Sequence, residues 1–302
     1  MANNFVLSSR VMSLLDKSDT TLGRKSWSDE KLLSRVLSAK TDKAYWNTIH
    51  EIRGRASDSL YAQCMELVRS EHPAECAAGI TILSQFYRLN KRKKYGVEYP
   101  YRKEVLRLFL GMLAAATDSS VLAALLYGIG DNNSYIKPRE IDLLLPFISA
   151  QEIIIRRAAV SALTGIQTMK AIRGLIMLSK DRYSDIRNWA TFAIGTQTDV
   201  DNADIRKALY ARCTDSHHDT RMEAIYGLAK RKDEGVKAYL EKEFSDCTVY
   251  VLESIQELHA VEYLPRLKAM LEETESNPDT DQYWLGHLQE CIESLRGSQH
   301  NT

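Results

Sequence analysis

The sequence predicts an all-α protein built as an α-solenoid, and two observations support this prediction. A frame of small and aliphatic residues recurs at spacings of 31 and 34 residues, which is typical of a repeat array. Helix breakers are few, with six prolines and fourteen glycines in 302 residues. We therefore expect about seven stacked helical pairs, closed by a C-terminal capping helix.

The frame is clearest in the stretch 185–195. Counted from Arg187, alanine stands at +3 and +6, isoleucine at +7 and glycine at +8, and related copies begin at Arg156 and Arg221. Positions 0, +3 and +7 share one side of a helix, so small residues in this frame predict close helix packing. The residues assigned to this structural frame are Arg156, Ala159, Asp185, Arg187, Ala190, Gly195, Asp219, Arg221 and Ala224.

The acids of the frame suggest how the helices begin. Asp185 and Asp219 each precede a frame arginine by two residues. We expect these two side chains to cap the helix starts, where backbone N–H groups lack partners. The frame arginines are then expected to bridge to the acid of the next repeat.

The rest of the chain is divided around this array. Residues 1–27 are expected to be loosely ordered, and residues 28–296 to form one solenoid domain, followed by a short tail at 297–302. Weaker copies of the frame begin at Cys76 and Leu122, and their spacing of 46 residues is longer than elsewhere, which places an insertion loop at 90–100. Pro138 is expected to start a short partner helix. A helix over about 280–296 is expected to cover the open end with Tyr283, Trp284, Leu288 and Ile292.

The best copy of the frame also supports a family resemblance. Asp185-Ile186-Arg187-Asn188-Trp189-Ala190-Thr191-Phe192-Ala193-Ile194-Gly195 resembles the HEAT-like repeats named after phycobilisome lyases. The resemblance covers roughly residues 42–273. It implies an α-solenoid whose second helices line a concave surface. It also implies a protein that binds other proteins, since most HEAT arrays do so, while some bind nucleic acid and a few carry catalysis.

Charge and cysteine usage bound the environment of the protein. The net charge is zero, but residues 1–118 carry +6 and residues 239–302 carry −9. The five cysteines are odd in number and widely spaced, so we expect buried free thiols in a reducing compartment. The N-terminus shows no signal-peptide pattern, and the apolar runs are too short to cross a membrane. We therefore expect a cytoplasmic protein.

The sequence predicts neither catalysis nor a cofactor. An iron hydroxylase of this repeat class would need several His-Glu pairs, and only His50-Glu51 and the reversed Glu71-His72 occur. The cluster His217-His218-Asp219 is interpreted as a solvated turn rather than a metal site, because adjacent histidines rarely point to one ion. A HEAT-like DNA glycosylase would need a basic groove, whereas the net charge is zero.

The positions of the tryptophans also do not support a DNA glycosylase. A glycosylase groove would use paired tryptophans, but the four tryptophans are scattered along the chain, and Trp189 is expected in the core because it lies within the frame. They stand at Trp27, Trp46, Trp189 and Trp284.

Two stretches are candidate partner-binding sites. The insertion combines cations with tyrosines, a composition suited to recognising an acidic protein or a single strand of RNA. Its candidate residues are Lys91, Arg92, Lys93, Lys94, Tyr95, Tyr99, Tyr101 and Arg102. The acidic end could instead hold a basic partner through Glu241, Glu243, Asp246, Glu253, Glu257 and Glu262.

These features predict a non-catalytic module that binds and occludes or scaffolds another macromolecule. One concrete version is a cytoplasmic immunity protein that covers the active site of a toxin such as a nuclease. A nucleic-acid-binding protein is the alternative from another class, and an adaptor or assembly factor fits the same features.

Overall fold

The computed structural model describes residues 27–90, 96–274, 277 and 279–298. It confirms the all-α helical-repeat prediction. The chain divides into two compact units, one ending at Arg102 and the other beginning at Lys103. The loosely ordered segment predicted at 1–27 lies outside the described residues except for Trp27. The single-domain organisation stays a prediction.

The described part of the first unit contains four α-helices whose starts are set by their own sequence. Side-chain oxygens of Ser28, Thr41 and Ser57 accept the backbone N–H three residues later, as N-caps do. A proline, Pro73, occupies the first position of the fourth helix, where its missing N–H costs nothing. These helices are α1 (Asp29–Leu37), α2 (Asp42–Ile52), α3 (Asp58–Val68) and α4 (Pro73–Ser84).

The insertion forms a short β-ribbon where a loop was predicted. β1 (Arg88–Asn90) pairs antiparallel with β2 (Gly96–Glu98), with Leu89 opposite Val97. The loop prediction was wrong for the flanks of the insertion, because the two flanks satisfy each other's backbone groups in a ladder. The stretch 91–95 between them lies outside the described residues.

The second unit continues the helical pairs. Its helices are α5 (Arg102–Met112), α6 (Ser119–Asn132), α7 (Ile153–Leu163), α8 (Met169–Leu178), α9 (Ser184–Gly195), α10 (Ala203–Arg212), α11 (His218–Lys230), α12 (Lys237–Glu243), α13 (Val249–Leu258), α14 (Leu264–Thr274) and α15 (Gln282–Ser298). We call α6, α7, α9, α11 and α13 the first helices of their pairs, since they carry the frame. The other helices of the second unit, apart from α15, are second helices.

Small residues of the frame lie where neighbouring first helices touch, as predicted. A Cβ built on Gly227 would lie 2.7 Å from the Cα of Gly195, which belongs to the preceding first helix. One built on Gly130 would lie 2.7 Å from the backbone oxygen of Ser161. Atoms cannot approach so closely, so any larger residue at these positions would push the helices apart.

One pair lacks a regular second helix. The stretch after Pro138, predicted to be a short partner helix, forms two 3-10 helices, Pro138–Leu143 and Leu145–Ser149. Pro138 begins the first of them, as predicted, but the partner element is not one continuous helix. Pro146 lies within the segment and cannot supply the N–H that an α-helical turn would need.

The frame arginines tie each first helix to the turn that begins the next pair or to the end of their own pair. Arg156 binds Asp181 through Nε at 2.6 Å, Arg187 binds Asp215 at 2.7 Å, and Arg221 binds Glu243 at 2.7 Å. In each case Nη1 also donates to backbone carbonyls five or six residues upstream. These contacts explain why arginine, with its fork of donors, stands at this position.

The predicted capping roles of Asp185 and Asp219 were wrong. Tyr183 is the N-cap residue of α9 and makes no side-chain cap, whereas Asp181 accepts the amide of Tyr183 at 2.9 Å. The N-cap of α11 is His217, whose Nδ1 accepts the amide of Thr220. Asp185 and Asp219 lie in the first turn, past the cap, so their side chains are not placed to cap the first free N–H groups.

The capping helix predicted near 280–296 is α15. It buries Leu288 and Ile292 and leaves Glu290 and Glu293 exposed, as predicted. The indole N–H of Trp284 donates to the carbonyl of Cys247 at 2.7 Å. Tyr283 is 56% exposed, so its predicted covering role was wrong. Among the described residues, no helix is both long enough and apolar enough to cross a bilayer.

Candidate partner-binding surface

Of the candidate tyrosines that the structure describes in the insertion, Tyr101 is packed and Tyr99 is exposed. Tyr101 stacks on Tyr61 with ring centroids 4.4 Å apart, and its hydroxyl donates to Asp58. Burial and the Asp58 carboxylate raise the pKa of Tyr101 to about 12. Tyr99 is 44% exposed and lies under the guanidinium of Arg102, 3.8 Å from the ring centroid to Cζ. The other predicted residues of this site, Lys91, Arg92, Lys93, Lys94 and Tyr95, lie outside the described residues.

The predicted acidic residues do not form one open acidic surface. Most of them pair with cations of the same unit, which reduces the negative potential they present. The pairs are Glu241 with Arg266, Glu243 with Arg221, Glu257 with Lys232 and Glu262 with Lys237, and Asp246 lies 3.7 Å from His218 Nε2. Glu253 lies on α13, close enough to Tyr226 to influence its pKa.

Several cations of the second helices bind carboxylates of neighbouring helical pairs. Arg107 binds Glu140, Lys170 binds Asp142 and Arg206 binds Asp233. Because each of these pairs joins consecutive helical pairs, the cations stabilise the stack rather than forming one free basic stripe.

The exposed side of the first helices carries aromatic residues at a fixed frame position. Counted from the frame origin of each helix, position +5 holds Tyr127 on α6, Phe192 on α9 and Tyr226 on α11. Positions −2, +2 and +5 lie on one side of a helix, opposite the side that carries the small residues. On α7 the position is Ser161, which lies against Gly130 of α6: a Cβ built on Gly130 would lie 2.6 Å from the Ser161 hydroxyl oxygen.

Trp189 lies at the centre of this surface, at position +2 of α9. It is 45% exposed, and its ring meets Phe192 edge to face with centroids 5.8 Å apart. The prediction that Trp189 is a core residue was wrong, since its side chain is 45% exposed, whereas the same frame position is buried on α7 (Ala158) and on α11 (Glu223). Beside it, Arg157 donates through Nε to Asp185 at 2.6 Å. Burial raises the pKa of Tyr127, which lies close enough to feel the charges of both Arg157 and Asp185.

The α11–α13 end of the surface combines tyrosines with carboxylates. Tyr226 and Tyr250 meet at 6.1 Å, and the hydroxyl of Tyr250 donates to Glu223. Burial, followed by the charges of Glu253, Glu257 and Glu223, raises the pKa of Tyr226 to about 12. We call the whole set the aromatic face: Tyr127, Arg157, Asp185, Trp189, Phe192, Glu223, Tyr226, Tyr250, Glu253 and Glu257.

The aromatic face is a site that our sequence reasoning missed. The signal was present in the frame, because +5 is aromatic in three of the four first helices from α6 to α11. The small residues at +3, +6 and +8 identify the packing side of each helix and carry no information on the opposite side. An aromatic residue that repeats on the exposed side of stacked helices indicates a binding surface.

The remaining titratable clusters have structural partners. The ring of His217 contacts Thr220, while His218 contacts Asp219, so the two imidazoles point to different groups. Within the described residues, no group of three His, Cys, Asp or Glu side chains is placed to hold a metal ion. All five cysteines are buried and none of them forms a disulfide, in agreement with the prediction.

Comparison with known proteins supports the fold. No family model matches the chain. It is 39% identical over 125 residues to protein YibA of Escherichia coli K12, an alignment that covers 41% of this chain and 44% of YibA. The matched region thus spans less than half of that relative.

The structural comparison extends further along the chain. The X-ray structure of E. coli YibA superposes with a TM-score of 0.68 and 24% identity, covering 93% of this chain and 98% of that one. A crystal structure of an engineered protein gives a TM-score of 0.50 at 14% identity, covering 90% and 82%. At these identities the likeness shows a helical-repeat fold alone, so the phycobilisome-lyase type of HEAT repeat stays a prediction.

Proposed function

We propose that this helical-repeat protein is a non-catalytic module that binds a protein partner through the aromatic face. The observation that carries the proposal is the recurrence of exposed or half-buried aromatic rings at position +5 of three first helices, α6, α9 and α11, with Trp189 on α9 at 45% exposure. Trp, Tyr and Arg are the residues that dominate binding energy at protein interfaces. A surface built from such residues on packed helices suits protein recognition.

The rigidity of the surface supports the same function. The rings of Trp189 and Phe192 hold each other edge to face, and Arg157 is held by Asp185. Their helices are locked by the close contact of Gly195 with Gly227. Because these side chains are already ordered, little conformational entropy is lost when a partner covers them.

The charge of the surface favours a basic partner. Glu253 and Glu257 lie half-buried near Tyr226, and Lys232 offsets one of these two charges by pairing with Glu257. Glu223 is buried and accepts the hydroxyl of Tyr250. We propose that the partner places cations here, against carboxylates and tyrosine faces. A nuclease toxin covered by an immunity protein is the concrete version of this proposal. Adaptor and assembly roles would use the same surface.

A non-catalytic role is consistent with the state of the cysteines. Burial raises the pKa of the Cys64, Cys213 and Cys291 thiols to about 12 and that of Cys247 to about 11. Thiols with such values are poor nucleophiles at neutral pH. Free thiols also suit the reducing cytoplasm that we propose as the location.

The test is site-specific photo-crosslinking in the source cell. A photoreactive phenylalanine analogue replaces Phe192 on the aromatic face or Lys207, an exposed-side residue of the second helix α10. We expect one abundant crosslinked protein from position 192 and not from 207. The purified partner should bind the intact chain and lose about tenfold or more in affinity with Trp189→Ala.

The matched control is Trp46→Ala, which removes a tryptophan of similar exposure, 42%, from the first unit. It should leave the affinity unchanged. Equal crosslinking from positions 192 and 207, or equal losses from the two tryptophan variants, would refute the aromatic face as the binding surface.

A further inference from the structure

An open apolar pocket lies on the second-helix side of the second unit. It has a volume of about 230 Å³ and lies between the 3-10 helix Leu145–Ser149 and α8. Its lining consists of Leu145, Ile148, Lys170, Arg173, Gly174 and Met177. None of these residues belongs to the aromatic face.

The pocket exists because the second helix of this pair is interrupted. Pro146 prevents a full α-helix, and the tighter 3-10 turns leave Leu145 and Ile148 half-buried at the edge of α8. Gly174 has no side chain, so the backbone of α8 forms the opposite wall of the pocket. A Cβ there would lie 2.9 Å from Leu163 Cδ1 and 3.5 Å from Leu145 Cδ2.

An exposed methionine, Met177, lies at the mouth of the pocket. Met177 is 59% exposed, the largest fraction among the large apolar side chains that the structure describes. Methionine is flexible and polarisable, and exposed methionines are common at surfaces that adapt to another side chain. Leaving it in water is unfavourable unless an apolar group covers it.

The rim of the pocket is positive. Lys170 and Arg173 stand one turn apart on α8, and Lys170 Nζ donates to Asp142 at 2.9 Å. That pair is exposed on both sides, at 47% and 58%, and such pairs are weakly held. Among the described residues, no carboxylate lies within ion-pair distance of Arg173. An approaching carboxylate therefore meets an available guanidinium beside an apolar hollow.

We propose that this pocket accepts one bulky apolar side chain of a partner polypeptide and that a carboxylate next to it binds Arg173. The volume is below the roughly 300–1,000 Å³ of pockets that enclose whole small molecules, so it suits a single side chain. The positive rim selects an acidic polypeptide, in contrast to the basic partner proposed for the aromatic face. The two surfaces can therefore be tested independently.

The experiment uses the intact chain labelled with ¹³C at the methionine methyl groups and followed by NMR. The probe is the peptide acetyl-Gly-Glu-Phe-Glu-Gly-amide. We expect a saturable shift of the Met177 methyl signal, assigned with Met177→Leu, with a Kd of about 1 mM as for a single anchored side chain. The matched peptides, with Ala in place of Phe or Lys in place of Glu, should bind at least about fivefold more weakly.

Variants separate the carboxylate contact from general charge. Arg173→Gln should weaken the acidic peptide about fivefold or more, while Arg296→Gln, on the exposed side of α15, should leave its affinity unchanged. Equal binding of the Glu and Lys peptides, equal effects of the two arginine variants, or no Met177 shift up to about 10 mM peptide would overturn the proposal. A Met177 shift with octanoate but not with the acidic peptide would overturn the polypeptide assignment.

Discussion

Arg187 and Asp215 form a two-point ion pair in which Nε meets Oδ2 and Nη2 meets Oδ1, both at 2.7 Å. Asp215 also accepts the amide of His217, so a single carboxylate joins the first helix α9 to the turn that begins α11. The same arrangement recurs between Arg156 and Asp181. Each such pair fixes the position of one repeat against the next through side chains and backbone together.

Removing the carboxylate of Asp215 should destabilise the second unit strongly. The side chain is only 3% exposed, and Asp215→Ala leaves both Arg187 and Arg212 without their shared partner. We expect a loss of about 3 kcal/mol in the free energy of unfolding. Urea denaturation followed by circular dichroism measures the loss, and hydrogen exchange should place it at α9 and α11.

The matched control for this change is the exposed pair of Arg157 with Asp185, whose side chains are 41% and 38% exposed. Asp185→Ala should cost at most about 1 kcal/mol, because water replaces the lost contact. Equal losses for the two aspartates would contradict the locking role of Asp215.

The same carboxylates predict a dependence of stability on pH. Burial alone would raise the pKa of Asp215, but hydrogen bonds from Arg187 and the His217 amide outweigh it and hold the pKa below 3.8. Asp181 behaves alike with Arg156 and the Tyr183 amide. A folded pKa below the unfolded value means that stability is present above pH 3.8 and is lost as pH falls through the folded pKa.

The measurement is the free energy of unfolding from about pH 7 to about pH 3 for the parent and for Asp181→Asn/Asp215→Asn. The parent should lose stability as the pH drops below about 4, and the variant should lose less over the same range, since it has fewer protons to take up. Parallel pH profiles for the two proteins would contradict the prediction.

Adding a methyl group between the first helices should destabilise the stack. Gly227→Ala places a Cβ 2.7 Å from the Cα of Gly195, so α9 and α11 must separate. We expect a cost of about 1–3 kcal/mol. Gly111→Ala is the control, because its Cβ meets nothing within 4 Å, and we expect it to stabilise helix α5 by about 0.4–1 kcal/mol. Thermal unfolding of both variants measures these two changes in stability.

Arg231 closes the C-terminal end of α9, and its loss should be costly. Its Nη1 donates to the carbonyls of Gly195 and Gly227, and Nη2 donates to those of Ile194, Thr198 and Val200. The side chain is 6% exposed, so Arg231→Met leaves several carbonyls buried without a donor.

We expect Arg231→Met to lower the free energy of unfolding by about 2 kcal/mol or more, and Arg231→Lys to restore only part of it, since one ammonium cannot span these acceptors. The neighbouring control is Lys230→Met, which removes a single exposed hydrogen bond to Thr196. It should cost less than about 1 kcal/mol. Urea denaturation of the three variants measures their free energies of unfolding and tests this order of losses.

The charges of the aromatic face should act on the rate of partner binding. Glu253→Gln/Glu257→Gln removes two carboxylates beside Tyr226, so a basic partner should associate several-fold more slowly at low salt and show a weaker salt dependence. Stopped-flow mixing with the crosslinked partner, once purified, provides the rates. The control is Glu290→Gln/Glu293→Gln on the exposed side of α15, for which the association rate should not change.

The candidate sites show where sequence reasoning was sufficient. Helical period and small residues predicted the close approach at Gly195 and Gly227, because both features are written into the frame itself. The same frame also contained the aromatic residues at +5, but only their exposure in the structure identified them as a surface. Trp189 was misassigned to the core because residues within one frame can point to opposite sides of the helix.

The sequence by itself determined that this protein is an array of paired helices, since helix period, caps and repeat spacing are local properties of the chain. Only the tertiary structure decided which acid meets which arginine. Arg187 reaches Asp215 in the next turn and leaves Asp219 to His218. The physical reason is that tertiary features depend on how helices cross and where a turn ends. This holds for the ion pairs, for the ribbon at Arg88–Glu98 and for the pocket beside Ile148. Those relations join residues distant in the chain, and no local pattern specifies them.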